Sequence, residues 1–374
     1  MKIGARTIKS GISILISLLL PILLGIPDAT TLAGISSLAS LRPSVKGSWD
    51  TLIQRILANS VGGLLAIIMA YFFGNSSLII AISAIILISI LHALKLDNVI
   101  ALAGATLIII MLNQTDEIFI NAVVRVTGTI IGVTVSFIVN RIIMPPKYEE
   151  KLFRSLSLQT DELAKIIRSA LRKNNQRNHI QTDLTALHKN QNAMARMYNY
   201  MSEEYTFGLH RLQKDKNREF SYHSTRLLVV FRQFLKADKA ALDLVESFND
   251  YEHVFNHFPE TLRILTRERL ETLITAHEQI ISKFSGRIYA ENVNFIEYKT
   301  SLREQFMSEY FDIAKAEIER AGNDYSNSNA VIHLMSDIFK YDEEISKLNR
   351  IVRSYRTKHD SDRQEFEEDF DIEG

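Results

Sequence analysis

Two arginines that lie within apolar sequence are the residues best suited to chemistry in this chain. Arg55 and Arg125 are seventy residues apart, and small residues follow each at the third and seventh positions. A charged side chain in hydrocarbon costs roughly 2.5–3.5 kcal/mol on the insertion scale, so two equivalent arginines indicate a functional partner. A guanidinium stays protonated, and its planar fork of N–H donors matches a carboxylate. The pattern predicts contact with organic anions.

The sequence leaves two structural roles open for these arginines. Arg55 can pair with Asp97, and Arg125 can pair with Asp28, because each aspartate is predicted at the same membrane face as its arginine. Such pairs would hold a helix bundle together without meeting any cargo. Long arginine side chains can also extend to lipid headgroups.

Hydroxyl side chains are frequent in the second apolar stretch. The candidate pathway residues among them are Thr30, Thr31, Ser36 and Ser37. They can line a hydrated path. Alternatively, they can bond back to carbonyl oxygens of their own helix and pack against neighbouring helices.

Six apolar stretches in the first 146 residues predict six membrane spans. They are approximately Ile8–Leu24, Ala29–Leu41, Leu52–Phe73, Leu78–Leu94, Val99–Leu112 and Ile118–Met144. The second and fifth stretches are shorter than the ~20 residues that a helix needs to cross a bilayer unaided. Unusually short segments at corresponding places in two halves point to a transporter's binding site.

The same seventy-residue offset superimposes Leu32-Ala33-Gly34 on Leu102-Ala103-Gly104 without a gap. The offset indicates a duplicated unit of three spans. Because three is an odd number, the two units would run in opposite directions across the membrane. This arrangement is the inverted repeat common in transporters.

The charges of the predicted loops indicate an orientation. In a six-span topology, Lys and Arg side chains fall on one side, and the opposite side carries Asp28, Asp116 and Glu117. By the positive-inside rule both termini are cytoplasmic. The expected location is the bacterial inner membrane.

Charge composition divides the chain into segments of different character. Residues 1–146 carry nine Lys and Arg against five Asp and Glu, and are otherwise almost entirely apolar. Residues 147–359 are highly charged, and their apolar residues recur at helical spacing, which predicts an antiparallel helical bundle in the cytoplasm. Residues 360–374 hold eight acidic residues and one arginine, so we expect a disordered tail. The fold class is therefore all-α, a six-helix membrane bundle followed by a helical domain.

Four short motifs resemble those of a known family. They are Ile3-Gly4-Ala5-Arg6-Thr7-Ile8-Lys9-Ser10-Gly11, Arg42-Pro43-Ser44-Val45, the Arg125, Gly128 and Gly132 face, and Pro145-Pro146-Lys147-Tyr148. Over residues 1–150 the chain resembles the bacterial aromatic acid exporter family, related to fusaric acid resistance proteins, in its compact six-span form. The resemblance implies efflux of aromatic or other organic acids across the inner membrane.

Two functions are compatible with these observations. The first is an exporter or channel for organic, in particular aromatic, carboxylate anions, driven by membrane potential or proton motive force. The second is a membrane-anchored scaffold or signalling protein whose cytoplasmic bundle binds a partner protein. The chain contains no cysteine and no phosphate-binding loop motif, so we expect no enzyme activity, no cofactor and no metal. The expected partners are the lipid bilayer, a small organic anion and a second copy of the chain in a homodimer, but not nucleic acid.

Overall fold

The computed structural model describes residues 5–112, 118–143, 148–171, 177–212, 218–251, 260–291, 300–321 and 326–358. These residues are almost entirely helical and contain no strand, which confirms the all-α fold class. The chain divides into two compact units, Met1–Pro146 and Lys147–Gly374. The acidic segment 360–374 and the loop acids Asp116 and Glu117 lie outside the described residues.

The described residues of the first unit form six α-helices. They are α1 (Ala5–Leu23), α2 (Thr30–Ser40), α3 (Val45–Phe73), α4 (Ser77–Ala93), α5 (Ile100–Leu112) and α6 (Ile118–Ile142). A 3₁₀ turn precedes each of the two short helices, at Pro27–Ala29 and at Asp97–Val99. Ser44 begins α3 as its N-cap, since its hydroxyl accepts a hydrogen bond from the Gly47 N–H at 2.9 Å. Gly74 ends α3 at a positive φ of 82°.

The two halves of the first unit repeat the same turn. Gly25 has a φ of 75°, and Lys95, seventy residues later, has a φ of 58° and is the only non-glycine residue with positive φ in the described part of the chain. The N–H of Gly25 bonds to the Ile22 carbonyl at 3.1 Å, and the N–H of Lys95 bonds to the His92 carbonyl at 3.0 Å. Because a left-handed residue other than glycine is uncommon, the shared conformation supports a duplicated unit.

Each short helix packs on the long helix of the other half. Helix α2 lies against α6, and α5 lies against α3. Small residues permit the close approach: a Cβ added at Gly132 would lie 2.1 Å from the Ala33 carbonyl oxygen, and one added at Gly62 would lie 3.1 Å from that of Ala103. The two small-residue faces identified in the sequence are therefore packing seams within the unit.

The interior of the first unit differs in polarity between two sets of helices. We call α1, α2 and α6 the polar trio, because their buried side chains include Lys9, Ser13, Ser17, Ser36, Ser37, Ser40, Thr129, Ser136 and Asn140. We call α3, α4 and α5 the apolar trio, because they supply nearly all of the buried hydrophobic cluster. Helices within each trio contact one another. Helices α3 to α5 also bury some polar side chains, so the two trios differ in degree; these buried polar residues are Ser48, Thr51, Arg55, Asn59, Ser83 and Thr106.

The surface of the first unit is apolar. Large hydrophobic side chains such as Leu23, Tyr71 and Phe72 are 81%, 82% and 71% exposed. Among the described residues, two helical segments, Val45–Phe73 and Phe119–Ile142, are long and apolar enough to cross a bilayer, and three shorter apolar helices accompany them. An apolar exterior around a partly polar interior is the arrangement that a lipid solvent favours.

The second unit is a bundle of long helices. They are α7 (Tyr148–Leu171), α8 (Arg177–Leu212), α9 (Arg218–Asp250), α10 (Glu260–Phe284), α11 (Thr300–Ala321) and α12 (Ser326–Lys358). Helices α9 and α12 contact each other extensively, and the core lies around them. Phe284 is fully buried, and its ring packs against those of Phe231 and Phe234 at centroid distances of 5.6 and 5.4 Å. Aromatic contacts of this kind stabilise the core.

Candidate substrate pathway

Arg55 lies in the interior of the first unit, with 7% of its side chain exposed. One terminal nitrogen donates to the Ser36 carbonyl at 3.1 Å and to the Ser40 hydroxyl at 2.8 Å. The other donates to the Ala39 carbonyl at 2.9 Å. These acceptors belong to the last turn of α2, where the helix dipole is negative. Arg55 therefore joins α3 to the C-terminal end of α2, and its Nε has no hydrogen-bond partner.

The aspartates considered as partners have other positions. Asp97 is exposed, and its carboxylate lies 2.7 Å from Nδ1 of His92 rather than on Arg55. Asp28 is exposed on the 3₁₀ turn that contacts α6, the helix of Arg125. Arg125 is half-buried, and within the described residues its guanidinium forms no ion pair or hydrogen bond. The described residues thus contain no aspartate paired with either arginine.

The hydroxyls of α2 have different environments. Ser37 is fully buried and shares a 2.6 Å hydrogen bond with Ser13 of α1. Ser36 is buried, and its carbonyl serves Arg55. Thr30 has a buried hydroxyl without a hydrogen-bond partner, and Thr31 is exposed. The structure brings Ser36 together with Arg55 and leaves Thr30 and Thr31 at the opposite end of the short helix.

A second polar network joins α1, α6 and the connection between α2 and α3. The ammonium of Lys9, with 8% of its side chain exposed, donates to Oδ1 of Asn140 at 3.1 Å. The Asn140 amide nitrogen donates to the Ser48 hydroxyl at 2.8 Å and to the Arg42 carbonyl at 3.1 Å. The guanidinium of Arg42 donates to Thr51 at 3.1 Å. Three cationic side chains are therefore anchored near one end of the polar trio: Lys9 of α1, Arg42 of the connection and Arg55 of α3.

The sequence interpretation did not select Lys9 or Asn140 as site residues. Lys9 served there only as a loop charge that fixes orientation. A signal was present, because Lys9, Ser13 and Ser17 recur at every fourth position of an otherwise apolar helix and are all buried. Such spacing places them on one face, directed inward.

Several buried polar atoms in this interior have no partner among the described residues. They are the hydroxyls of Ser17, Thr30 and Ser136, Nε of Arg55 and the amide nitrogen of Asn59. A buried polar group without a hydrogen bond costs about 1–3 kcal/mol. Orphaned donors and acceptors are available to a polar ligand or to water, so the arrangement suits the passage of a polar solute.

A separate buried polar cluster lies in the second unit. The Thr160 hydroxyl donates to Asp238 at 2.9 Å, and Nε2 of His277 lies 3.7 Å from the same carboxylate. Nδ1 of His277 and the Tyr341 hydroxyl are 3.1 Å apart. Burial raises the pKa of Asp238 to about 8 and lowers the pKa of His277 to about 3. The cluster connects α7, α9, α10 and α12, and sequence reasoning did not identify it.

Comparison with known proteins identifies relatives of this architecture. Residues 1–143 match the family described as aromatic acid exporter family member 1. The UPF0421 protein YgaE of Bacillus subtilis is 30% identical over 97% of this chain and 98% of its own length. The UPF0421 protein BH2644 of Halalkalibacterium halodurans is 26% identical over 62% of this chain and 64% of its own length. The UPF0421 protein OB2406 of Oceanobacillus iheyensis is 31% identical over 44% of this chain and 47% of its own length.

These similarities extend through both units, because the Bacillus subtilis relative aligns with almost the whole chain. They confirm the family resemblance that the short motifs carried. Family membership and the apolar helices together indicate a membrane protein of the transporter class. Residues 1–143 match the aromatic acid exporter family, and the chain as a whole belongs to the UPF0421 proteins.

Proposed function

We propose that this chain exports organic anions, in particular aromatic carboxylates, across the bacterial cell membrane. The observation that carries the proposal is the buried Arg55, whose positive charge meets only neutral oxygens of α2 among the described residues. A carboxylate that reached this side chain would neutralise a charge that the protein leaves uncompensated. The attraction is stronger in a dry interior than in water. The unpartnered N–H at Nε remains as a donor to the anion.

The polar trio supplies the rest of the proposed path. Its inward face offers hydroxyls along α1 and α2, including Ser17 and Ser37, with Lys9 at one end. Arg125, which occupies the equivalent place in the other half, is the second contact for the anion. In this proposal the anion passes between cationic sites and hydroxyl groups, with Arg55 supplied by α3 and the rest of the apolar trio as support.

The proposed topology has six crossings with both termini in the cytoplasm, the halves being inverted, and the functional form is a homodimer. Export of one negative charge from a cell that is negative inside releases about 2.3 kcal/mol per 100 mV. Membrane potential or proton motive force is therefore sufficient to drive modest accumulation outside. The cytoplasmic unit then has access to acids before they are exported.

Flux measurement on the full chain tests the proposal. We would reconstitute the protein in liposomes and follow radiolabelled 4-hydroxybenzoate under a potassium diffusion potential. Wild-type protein should give saturable, voltage-dependent flux. Arg55→Gln and Arg125→Gln should each lower that flux at least about tenfold, since a contact between a charged pair contributes about 1.5–3 kcal/mol. Arg141→Gln is the matched control, because Arg141 is exposed at the end of α6.

A structural role of Arg55 must be separated from a role in anion contact. Ser40→Ala removes one acceptor of the guanidinium and keeps the charge, so it should retain most of the flux. Arg55→Lys should retain part of it. If Ser40→Ala and Arg55→Gln lose flux equally, with equal losses of melting temperature, Arg55 serves only packing. Absence of acid flux in wild-type liposomes would favour the scaffold function.

A further inference from the structure

A groove in the second unit lies outside the proposed membrane path. It is an open groove between the first half of α9 and the end of α12, with a volume of about 440 Å³. Its wall includes the apolar side chains of Val229 and Ile351 and the aromatic ring of Tyr355. Arg226, Lys347 and Arg350 supply its cationic side chains. The volume falls within the ~300–1,000 Å³ range of small-molecule sites.

The three cations of the groove are not equivalent. The positive charge of Lys347 is compensated by two carboxylates, because its ammonium lies 2.7 Å from Glu343 and 3.1 Å from Glu344. Arg226 and Arg350 form no ion pair within the described residues. No acidic residue occurs within four positions of either arginine, so neither has a carboxylate at helical pairing distance. Two guanidinium groups therefore line one groove with no counter-ion among the residues that the structure describes.

The geometry points to a binding site for an amphipathic organic acid in this groove. The two guanidinium groups suit a carboxylate, since an arginine can donate two parallel hydrogen bonds to its oxygens. The apolar wall and the Tyr355 ring suit a flat hydrocarbon body. The choice of an aromatic carboxylate among such acids rests on the proposed function. In that setting the site captures or senses the acid on the cytoplasmic side before export.

Calorimetric titration of the full chain in detergent tests this site. The probe is 4-hydroxybenzoate, with neutral 4-hydroxybenzamide and inorganic phosphate as comparisons. All titrations carry Arg55→Gln, so that the membrane path does not contribute. The acid should bind saturably, and the double substitution Arg226→Gln with Arg350→Gln should weaken binding at least about tenfold. Arg353→Gln changes the same charge on α12 away from the cavity and should have no effect.

A second variant tests the cavity rather than the charge. Val229→Trp fills the groove with a bulky side chain and should abolish binding while both arginines remain. Equal affinities for the acid in the parent and in the double variant would overturn the inference. So would equal binding of phosphate and of the aromatic acid, since that result indicates a site for inorganic anions only.

The outcomes separate this site from the proposed export. If flux is intact but binding in the groove does not depend on the arginines, the groove site is refuted and the export proposal stands. If binding in the groove depends on Arg226 and Arg350 but liposomes show no flux, the export proposal is refuted. The groove then stands as a binding site for organic acids.

Discussion

Asp238 and His277 lie in a buried interior, where the pKa of each group is shifted from its ordinary value. Asp238 is fully buried, and His277 is 1% exposed. The pKa of Asp238 is raised to about 8 from 3.8, and that of His277 is lowered to about 3 from 6.5, in both cases by burial. Midway between pH 6.5 and pH 8 the folded pair therefore holds close to one proton, on Asp238, whereas the unfolded chain holds almost none; at either limit the difference falls to about half a proton.

This proton difference predicts a pH dependence of stability. Because unfolding releases on average a little over half a proton in this range, stability should fall as the pH rises from 6.5 to 8, by about 1 kcal/mol in total. Asp238→Asn removes the titrating group and should flatten that slope, so the variant gains stability over wild type as the pH rises. Melting temperatures of the purified full chain across this range measure the effect. Asp312→Asn, at an exposed position, should leave the slope intact; identical slopes in all three proteins would contradict the assignment.

The ion pair of Arg269 with Asp342 predicts a second effect at the residue scale. Nη2 of Arg269 lies 2.6 Å from Oδ2 of Asp342, and each side chain is 1% exposed. Arg269→Met leaves a buried carboxylate uncompensated and should destabilise the protein by about 3–5 kcal/mol. Adding Asp342→Leu to that variant should recover much of the loss. Urea titration followed by circular dichroism measures both changes.

An exposed pair provides the comparison. Lys340 and Asp243 are 2.6 Å apart, but the lysine side chain is 51% exposed. Lys340→Met should cost at most about 1 kcal/mol, because solvent screens the pair. For the buried pair, the double variant Arg269→Met with Asp342→Leu could prove no more stable than Arg269→Met alone. That result would show that the uncompensated charge of Asp342 is not what destabilises the single variant.

At the scale of helices, the contact of α2 with α6 depends on the absence of a side chain at Gly132. A Cβ there would lie 2.1 Å from a backbone oxygen, whereas a Cβ at Gly62 would lie 3.1 Å from the equivalent oxygen and one at Gly104 would meet nothing within 4 Å. Gly132→Ala should therefore lower stability by about 1–3 kcal/mol, as overpacking does. Gly62→Ala should have a smaller effect.

Thermal melting of the detergent-solubilised protein ranks these variants. Gly104→Ala is the control and should be neutral or stabilising, because alanine favours helix. Equal melting temperatures for Gly132→Ala and Gly104→Ala would show that α2 and α6 do not approach as closely as described.

The sequence indicated the helices and their duplication, but not how the helices pair. The seventy-residue offset was visible in Arg55 and Arg125, yet the repeated turn places Gly25 opposite Lys95, two unlike residues, and is recognised from the backbone conformation. Apolar periodicity shows which face of a helix is buried and does not show which helix covers it. The acceptors of Arg55 were not predictable for a related reason: two are backbone carbonyls, which every residue has.

At the scale of the whole molecule, the proposed topology can be tested because the chain contains no cysteine. Each introduced cysteine is therefore the only thiol. Ser76→Cys, between α3 and α4, should react with a membrane-impermeant maleimide in intact cells. Asn98→Cys, in the turn before α5, should react only after permeabilisation. Both positions are exposed.

Asn98 is expected to be protected because the positive-inside rule places the segment with Lys95 in the cytoplasm. The unmodified chain supplies the blank, since it should not label under either condition. Labelling of Asn98→Cys in intact cells, or protection of Ser76→Cys there, would contradict the six-crossing topology with internal termini.

The pairing of each short helix with the opposite half has a mechanical consequence. The polar trio and the apolar trio do not coincide with the halves of the duplicated sequence, and they are joined to each other by the packing of α3 on α6 and by the hydrogen bonds of Arg55 to α2. The chain passes from one trio to the other at only two places, after α2 and after α5. In the first of these connections, the Asn140 amide donates hydrogen bonds to the carbonyl oxygens of Arg42 and Ser44. A rocking motion of one trio against the other would therefore have to open the α3–α6 packing and the bonds of Arg55 to α2, and one of the two connections is itself bonded to α6.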